Sequence, residues 1–299
     1  MHIPSHMVEG PVGPVTAAIA AFGVVAALLA ARNSQDTPSA ARFAGITSLI
    51  FAAQMVSFPV QDRTSGHLIG GVLASILLGI PFGILSMTIV LVIQCLLFAD
   101  GGFSVLGANI LNMALLGAGV GGWFAVELRR GRTGFVLLAA TAGAAWISVV
   151  LAAMACSIEL AASGVAPFPR IATAMLGAFA LIGIGEALIT VALVAVIPIR
   201  TRRATDFHAI FIPFAAAAFI AAVLSQFSSQ FPDGLHWVAK ELGFLPEKTG
   251  SYFAIMPGYS LPWLGGNAAP AGLAGFIGVV AVSALAIATS RLWTNRTVI

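Results

Sequence analysis

The sequence predicts an all-α integral membrane protein of about nine transmembrane helices. Composition, the spacing of apolar runs and the placement of arginine carry that prediction. Hydrophobic residues make up 59% of the 299 residues, charged residues only 8%, and the mean hydropathy is +1.01. A soluble domain carries roughly 25% charged residues, so that class is excluded. Nine apolar runs read as candidate spans: residues 14–31, 43–58, 67–80, 82–98, 103–126, 134–156, 170–198, 207–226 and 269–290. A spanning helix needs about 20 such residues. The third run is short and the fourth begins at Gly79-Ile80-Pro81, so these two are expected to form a tight helical hairpin.

The net charge of +3 and pI near 9.3 are a topology signal, because the bases sit in short clusters between apolar runs. With the N-terminus outside, the inside segments hold Arg32, Arg42, Arg129, Arg130, Arg132, Arg200, Arg202, Arg203, Arg291 and Arg296, ten of the fourteen Lys and Arg. Only Arg63, Arg170, Lys240 and Lys248 fall outside. The positive-inside rule therefore predicts an N-out, C-in protein with an odd number of spans.

Taken in order, the chain opens on Met1-His2-Ile3. No basic start precedes the first span and Glu9 interrupts the approach to it, so no cleaved leader is expected. The Met1 amine, the deprotonated His2 amide nitrogen and a ring nitrogen of His2 can bind one ion through fused chelate rings. That set leaves one corner of a square open and suits Ni(II) or Cu(II), with Co(II) close behind. His67, in Thr64-Ser65-Gly66-His67-Leu68, is the candidate for the fourth corner, and the N-out topology puts it on the same side of the membrane. His6 is a possible extra ligand, although an exposed terminal histidine has no necessary role.

Cys95 and Cys156 lack CxxC spacing and read as small core residues. Asp100-Gly101-Gly102 reads as a turn. Gln94, Asn109 and Asn112 are polar residues in apolar runs. All three can hydrogen-bond metal-bound imidazoles or simply join helices, and Asn109 and Asn112, three apart, share one helical face. Glu186 is the clear ionisable residue within a span; it is a functional candidate or an interhelical hydrogen-bond partner.

Beyond Arg203 the organisation changes, which divides the chain into a seven-span core, residues 1–203, and a two-span module, residues 204–299. The outside loop of that module carries turn chemistry at Pro232-Asp233-Gly234, Pro246, Pro257-Gly258 and Gly265-Gly266, with a short amphipathic helix over Leu235–Leu242. His208 and His236 have no assigned role. No GxxxxGK[ST] loop, zinc-spaced His/Cys cluster or GxSxG elbow is present.

Several ordered motifs together resemble one family: Met1-His2-Ile3, Thr64–Gly71, Phe98–Gly102, Leu106–Met113 and Gly185–Thr190. They are similar to the CbiM/NikM family, the substrate-binding (S) components of cobalt and nickel energy-coupling factor transporters. Phe231–Val238 looks like the loop of the auxiliary NikN or PDGLE-type component, here fused to the core. The resemblance implies metal ligation by Met1, His2 and His67, and transport of Ni(II), or alternatively Co(II), without a resident cofactor. It implies two partners in a prokaryotic plasma membrane, a transmembrane coupling protein of the CbiQ/NikQ type and an ATPase of the CbiO/NikO type. The chain departs from the family pattern at Pro4–Val8, which separates the terminal motif from Glu9-Gly10, and at Phe179, where relatives often carry a histidine. A rival expectation is a stand-alone secondary transporter or channel for a small solute, with Glu186 as proton relay. A third is a membrane scaffold without a ligand.

Overall fold

The computed structural model describes residues 1–5, 7–199, 207–245, 254–261 and 271–294. His6, the boundary at residues 203 and 204, the Arg200–Arg203 cluster, Lys248, Arg296 and the Pro246 and Gly265-Gly266 turns lie outside the described residues.

Helix α1 spans Val12–Asn33 and α2 spans Ala40–Gln54, begun by Ser39, whose side chain accepts from the Arg42 N–H. Two short strands follow, β1 (Ser57–Pro59) and β2 (Ser65–His67), paired antiparallel with Ser57 opposite His67. Then come α3 (Gly71–Leu78) and α4 (Ile80–Phe98), hinged at Gly79, whose positive φ turns the chain before Pro81 restarts the helix. The next rod begins as α5 (Leu106–Asn109), widens into π turns over Ile110–Val120 and ends as α6 (Gly121–Arg129). The long helices α7 (Gly134–Ala162) and α8 (Phe168–Val196) pack together. Helix α9 (Phe207–Ala222), the short α10 (Gly234–Glu241) and α11 (Ala271–Thr294) complete the chain.

Among the described residues, six helical rods are long and apolar enough to cross a membrane, as expected of a multi-pass membrane protein: α1, α4, the α5–α6 rod, α7, α8 and α11. The expected span over residues 67–80 takes another form. Helix α3 has only eight residues, about 12 Å at the α-helical rise, against about 30 Å of hydrocarbon. Thr64–Gly70 approaches it as extended chain. Irregular backbone is tolerated at such depth only where protein covers it, and Thr64 through Ala74 are all buried. The run at 43–58 is also shortened, because the helix ends at Gln54 and the chain turns into β1. The expected α3–α4 hairpin and the amphipathic helix after Asp233 are both present.

The C-terminal helices α9 and α11 pack on α2. The approach is close: a methyl group at Gly278 would collide with the Phe51 ring, and Ser48 Oγ lies 2.7 Å from Ser283 Oγ. The segment before α10 runs beside β2, with Ser65 donating from its N–H to the Pro232 carbonyl at 2.8 Å and from its hydroxyl to Phe231. Residues distant in sequence thereby converge at one end of the bundle.

Candidate metal centre

The chain's first residues do not trail into solvent. Met1, His2 and Ile3 are buried, as are Met7 and Val8 of the longer link to Glu9. Asn109 clamps the backbone just past His2: its Oδ1 accepts the Ile3 N–H at 2.8 Å and its Nδ2 donates to the Ile3 carbonyl at 3.2 Å. The same carbonyl accepts the Gly102 N–H at 2.8 Å. A side chain at Gly102 would collide with Ser5, so the turn after Asp100 forms the cradle in which the terminal segment lies.

That anchoring brings the Met1 nitrogen to 2.7 Å from His67 Nε2. Two nitrogens at about 2.0 Å from one ion, at right angles, stand about 2.8 Å apart. The observed spacing, that of a hydrogen bond in the ion-free protein, is close to such an edge. The His2 and His67 rings lie nearly parallel, with centroids 5.3 Å apart and planes at 17°. Both can turn a nitrogen toward the same point.

The surroundings orient both rings, and for His67 they fix which nitrogen is offered. His67 Nδ1 lies 2.9 Å from the Leu68 carbonyl, an acceptor only, so Nδ1 carries the proton and Nε2 presents its lone pair. His2 Nε2 lies 3.1 Å from Gln94 Oε1. The Gln94 amide is oriented in turn by donating to Gln54 Oε1 at 2.8 Å, and Gln54 by donating to the Ile69 carbonyl at 2.6 Å. Asp100 Oδ1, 3.3 Å from His2 Nδ1, is a second acceptor beside the same ring, and Nδ1 is the ring nitrogen that can close a small chelate ring with the His2 amide.

Burial, together with the nearby terminal ammonium, holds the His67 imidazole down at about 4. His2 is also lowered, chiefly by burial and despite the Asp100 carboxylate. Both rings are therefore neutral at pH 7 and available as ligands. Asp233 Oδ2 is 3.2 Å from the Met1 nitrogen and its Oδ1 is 3.8 Å from His67 Nε2. Burial works to raise the Asp233 carboxyl, but the terminal ammonium 3.2 Å away leads the influences that outweigh it, so it stays ionised. Asp100 Oδ1 is 3.3 Å from His2 Nδ1, and Asp100 Oδ2 accepts the Tyr259 hydroxyl at 3.0 Å. A cavity of about 540 Å³ reaches the two histidines, walled by Gln54, Asp100, Asp233, His236 and Tyr259 among others.

The polar residues read from sequence divide. Gln94 meets an imidazole. Asn109 and Asn112 do not: Asn109 holds Ile3, while Asn112 donates to Glu159 Oε2 on α7 at 2.7 Å. The π turns that begin at Ile110 rotate Asn112 away from the face it would share with Asn109 in a regular helix. Glu186 accepts the Ile69 and Gly70 N–H groups at 2.5 and 2.8 Å, bracing the backbone just after His67. Phe179 is buried and faces Gly234, a packing role. Cys95 and Cys156 are buried in the helices. Gln54, Asp100, Asp233, Tyr259 and Glu159 received no site role from the sequence. The visible signals were a glutamine near the end of an apolar run and aspartates within turn motifs. Among the described residues, no three His, Cys, Asp or Glu side chains gather as a metal site.

The comparisons agree with this architecture. A fused nickel transport protein, NikMN, of Archaeoglobus fulgidus is 34% identical over 83% of this chain and 85% of its own length. The fused nickel transport protein NikMN of Rhodobacter capsulatus is 31% identical over 39% of this chain and 34% of its own. A crystal structure of a transition metal transporter superposes with a TM-score of 0.59 at 27% identity, covering 65% of this chain and 91% of its own. One of a truncated transition metal transporter gives 0.58 at 28% identity, covering 65% and 97%. The PDGLE domain model matches residues 208–295, the segment that delivers Asp233 and Tyr259. The model of the CbiM cobalt uptake substrate-specific transmembrane region matches residues 2–204, from His2 through the cradle, the relay and the Glu186 brace, and the chain belongs to that family.

Proposed function

We propose that the chain is the substrate-binding membrane component of an ATP-driven uptake transporter for Ni(II), or alternatively Co(II), of the energy-coupling factor type. The observation that carries this reading is the 2.7 Å approach of the Met1 nitrogen to a His67 ring nitrogen whose lone pair is free of other partners. In this reading the ion enters through the cavity and loses water to four nitrogens: the Met1 amine, the His2 amide, His2 Nδ1 and His67 Nε2. Relatives named for nickel transport support nickel over cobalt.

The same reading places the N-terminus outside and the C-terminus inside across about nine crossings. It divides the chain into a core at 1–203 and an auxiliary module at 204–299. Coupling to ATP requires partners, a transmembrane coupling protein of the CbiQ/NikQ type and an ATPase of the CbiO/NikO type. Against the rival secondary-transport reading, both Glu186 oxygens are engaged by backbone N–H groups rather than facing the cavity.

Elemental analysis of protein purified after growth in equal trace nickel and cobalt tests this reading. The expected result is close to one ion per chain in the native form, and none in a form with one residue added before Met1. His2→Ala and His67→Ala, still inserted in the membrane, should also lose the ion. Equal metal in all forms would sink the site assignment.

A further inference from the structure

The PDGLE-matched segment does more than pack against the core. Its residues 228–234 follow the hairpin that carries His67: Ser229 donates from its N–H to the Ser57 carbonyl, Ser57 donates from its N–H to Ser228 Oγ, and Ser65 bridges to Asp233 in parallel register. Gly234 lies against Ile182 and Phe179, so closely that a methyl group there would collide with the Ile182 side chain. These fastenings fix the Asp233 backbone independently of its carboxylate. The two carboxylate oxygens then fall at 3.2 Å from the Met1 nitrogen and 3.8 Å from His67 Nε2. They face adjacent corners of the proposed square.

A divalent ion held by an amine, two neutral imidazoles and one deprotonated amide retains a single positive charge in a buried site. An uncompensated buried charge is costly. In the ion-free protein one carboxylate already pairs with the terminal ammonium at this place. Asp100, the other carboxylate at the site, is engaged through Oδ2 by Tyr259 and faces the opposite ligand, His2.

We propose that Asp233 is a positioning residue of the metal centre, through which the fused module supplies a fixed negative charge at the Met1 and His67 corners of the bound complex, beside the one that Asp100 supplies at His2. The module therefore completes the site in cis. This inference rests on the metal-site reading given above.

The test uses the full-length chain in detergent with Ni(II) as probe, titrated against a competing chelator. Asp233→Asn keeps shape and hydrogen-bonding capacity but removes the charge. It should weaken Ni(II) about 10–100-fold, the usual effect of losing a group that supports the ligands. Stoichiometry should stay at one ion, and the visible absorption of the amide-bound complex should keep its wavelength because the nitrogens are unchanged. Asp233→Glu should recover most of the affinity. An Asn variant within about twofold of the parent, with His67→Ala still abolishing binding, overturns the inference and leaves the metal-site reading intact. Equal losses for Asn and Glu overturn it as well, since they indicate packing rather than charge. If neither the parent nor His67→Ala differs from background, the metal-site reading fails and this inference with it.

Discussion

At the scale of single residues, the centre works by removing choices. Histidine has two ring nitrogens and two neutral tautomers, and a chelate that uses the wrong one cannot close. Here Leu68 decides the tautomer of His67, and the Ile69–Gln54–Gln94 relay holds the His2 ring in place through Nε2. Gln94→Leu should therefore weaken Ni(II) by about 10–100-fold without changing the ligands, read by chelator competition. Gln54→Leu should cost somewhat less, because it leaves Gln94 in place but free to rotate. The lowered His67 value sets a pH window. An imidazole at about 4 in the fold, against about 6.5 in the unfolded chain, means that the unfolded state binds more protons between those values. Stability of the ion-free protein should rise with pH across that window and level off above it. Thermal unfolding in detergent from pH 4 to 8 checks the sign, and His67→Gln should flatten the acid limb. Proton competition at His67 should be confined to the low end, near pH 4.

At the scale of elements, the decisive piece is the junction of β2 and α3, which is neither strand nor helix. Glu186 satisfies the Ile69 and Gly70 N–H groups there, which would otherwise be buried without partners. Glu186→Ala should lower thermal stability, since each orphaned N–H costs about 1–3 kcal/mol. It should also weaken Ni(II), because the Leu68 carbonyl that orients His67 moves with the junction. A proton-relay role predicts the reverse pattern, with Ni(II) binding intact and only uncoupler-sensitive uptake lost. This element also marks the limit of what sequence patterning reveals. Hydropathy located every long rod, since length and apolarity are local properties. The run at 67–80 read as a span because hydropathy records that a segment is buried, not whether protein or lipid covers it. Met1, His2 and His67 could be proposed from the sequence because their chemistry is unusual in itself. Gln54 and Asp233 were not, because their importance comes from contacts across the fold: Asp233 reaches Met1 from the far end of the chain, and its Pro-Asp-Gly setting is fully explained as a turn.

At the scale of the whole molecule, charge separates the two ends of the bundle. The metal cavity lies where α4 ends, α5 begins and α10 docks. A second cavity, of about 810 Å³, lies where α1 ends, α3 meets α4 and α6 ends, with Arg42 and Arg129 in its wall. Arg42 ties that end together, donating from Nη2 to the carbonyls of Leu77, Pro198 and Ile199 at 3.0, 2.7 and 3.0 Å. The basic end should face the cytoplasm and the metal end the exterior. The prediction can be read from two cysteine substitutions, Ala162→Cys at the exposed end of α7 and Thr133→Cys just before its start, with Cys95 and Cys156 silent because they are buried. A membrane-impermeant maleimide should label Ala162→Cys in intact cells and Thr133→Cys only after permeabilisation. The reverse pattern would place the terminal amine, the two histidines and Asp233 in the cytoplasm, where an ion loaded at this site would be bound for export. Uptake and orientation therefore stand or fall on the same labelling.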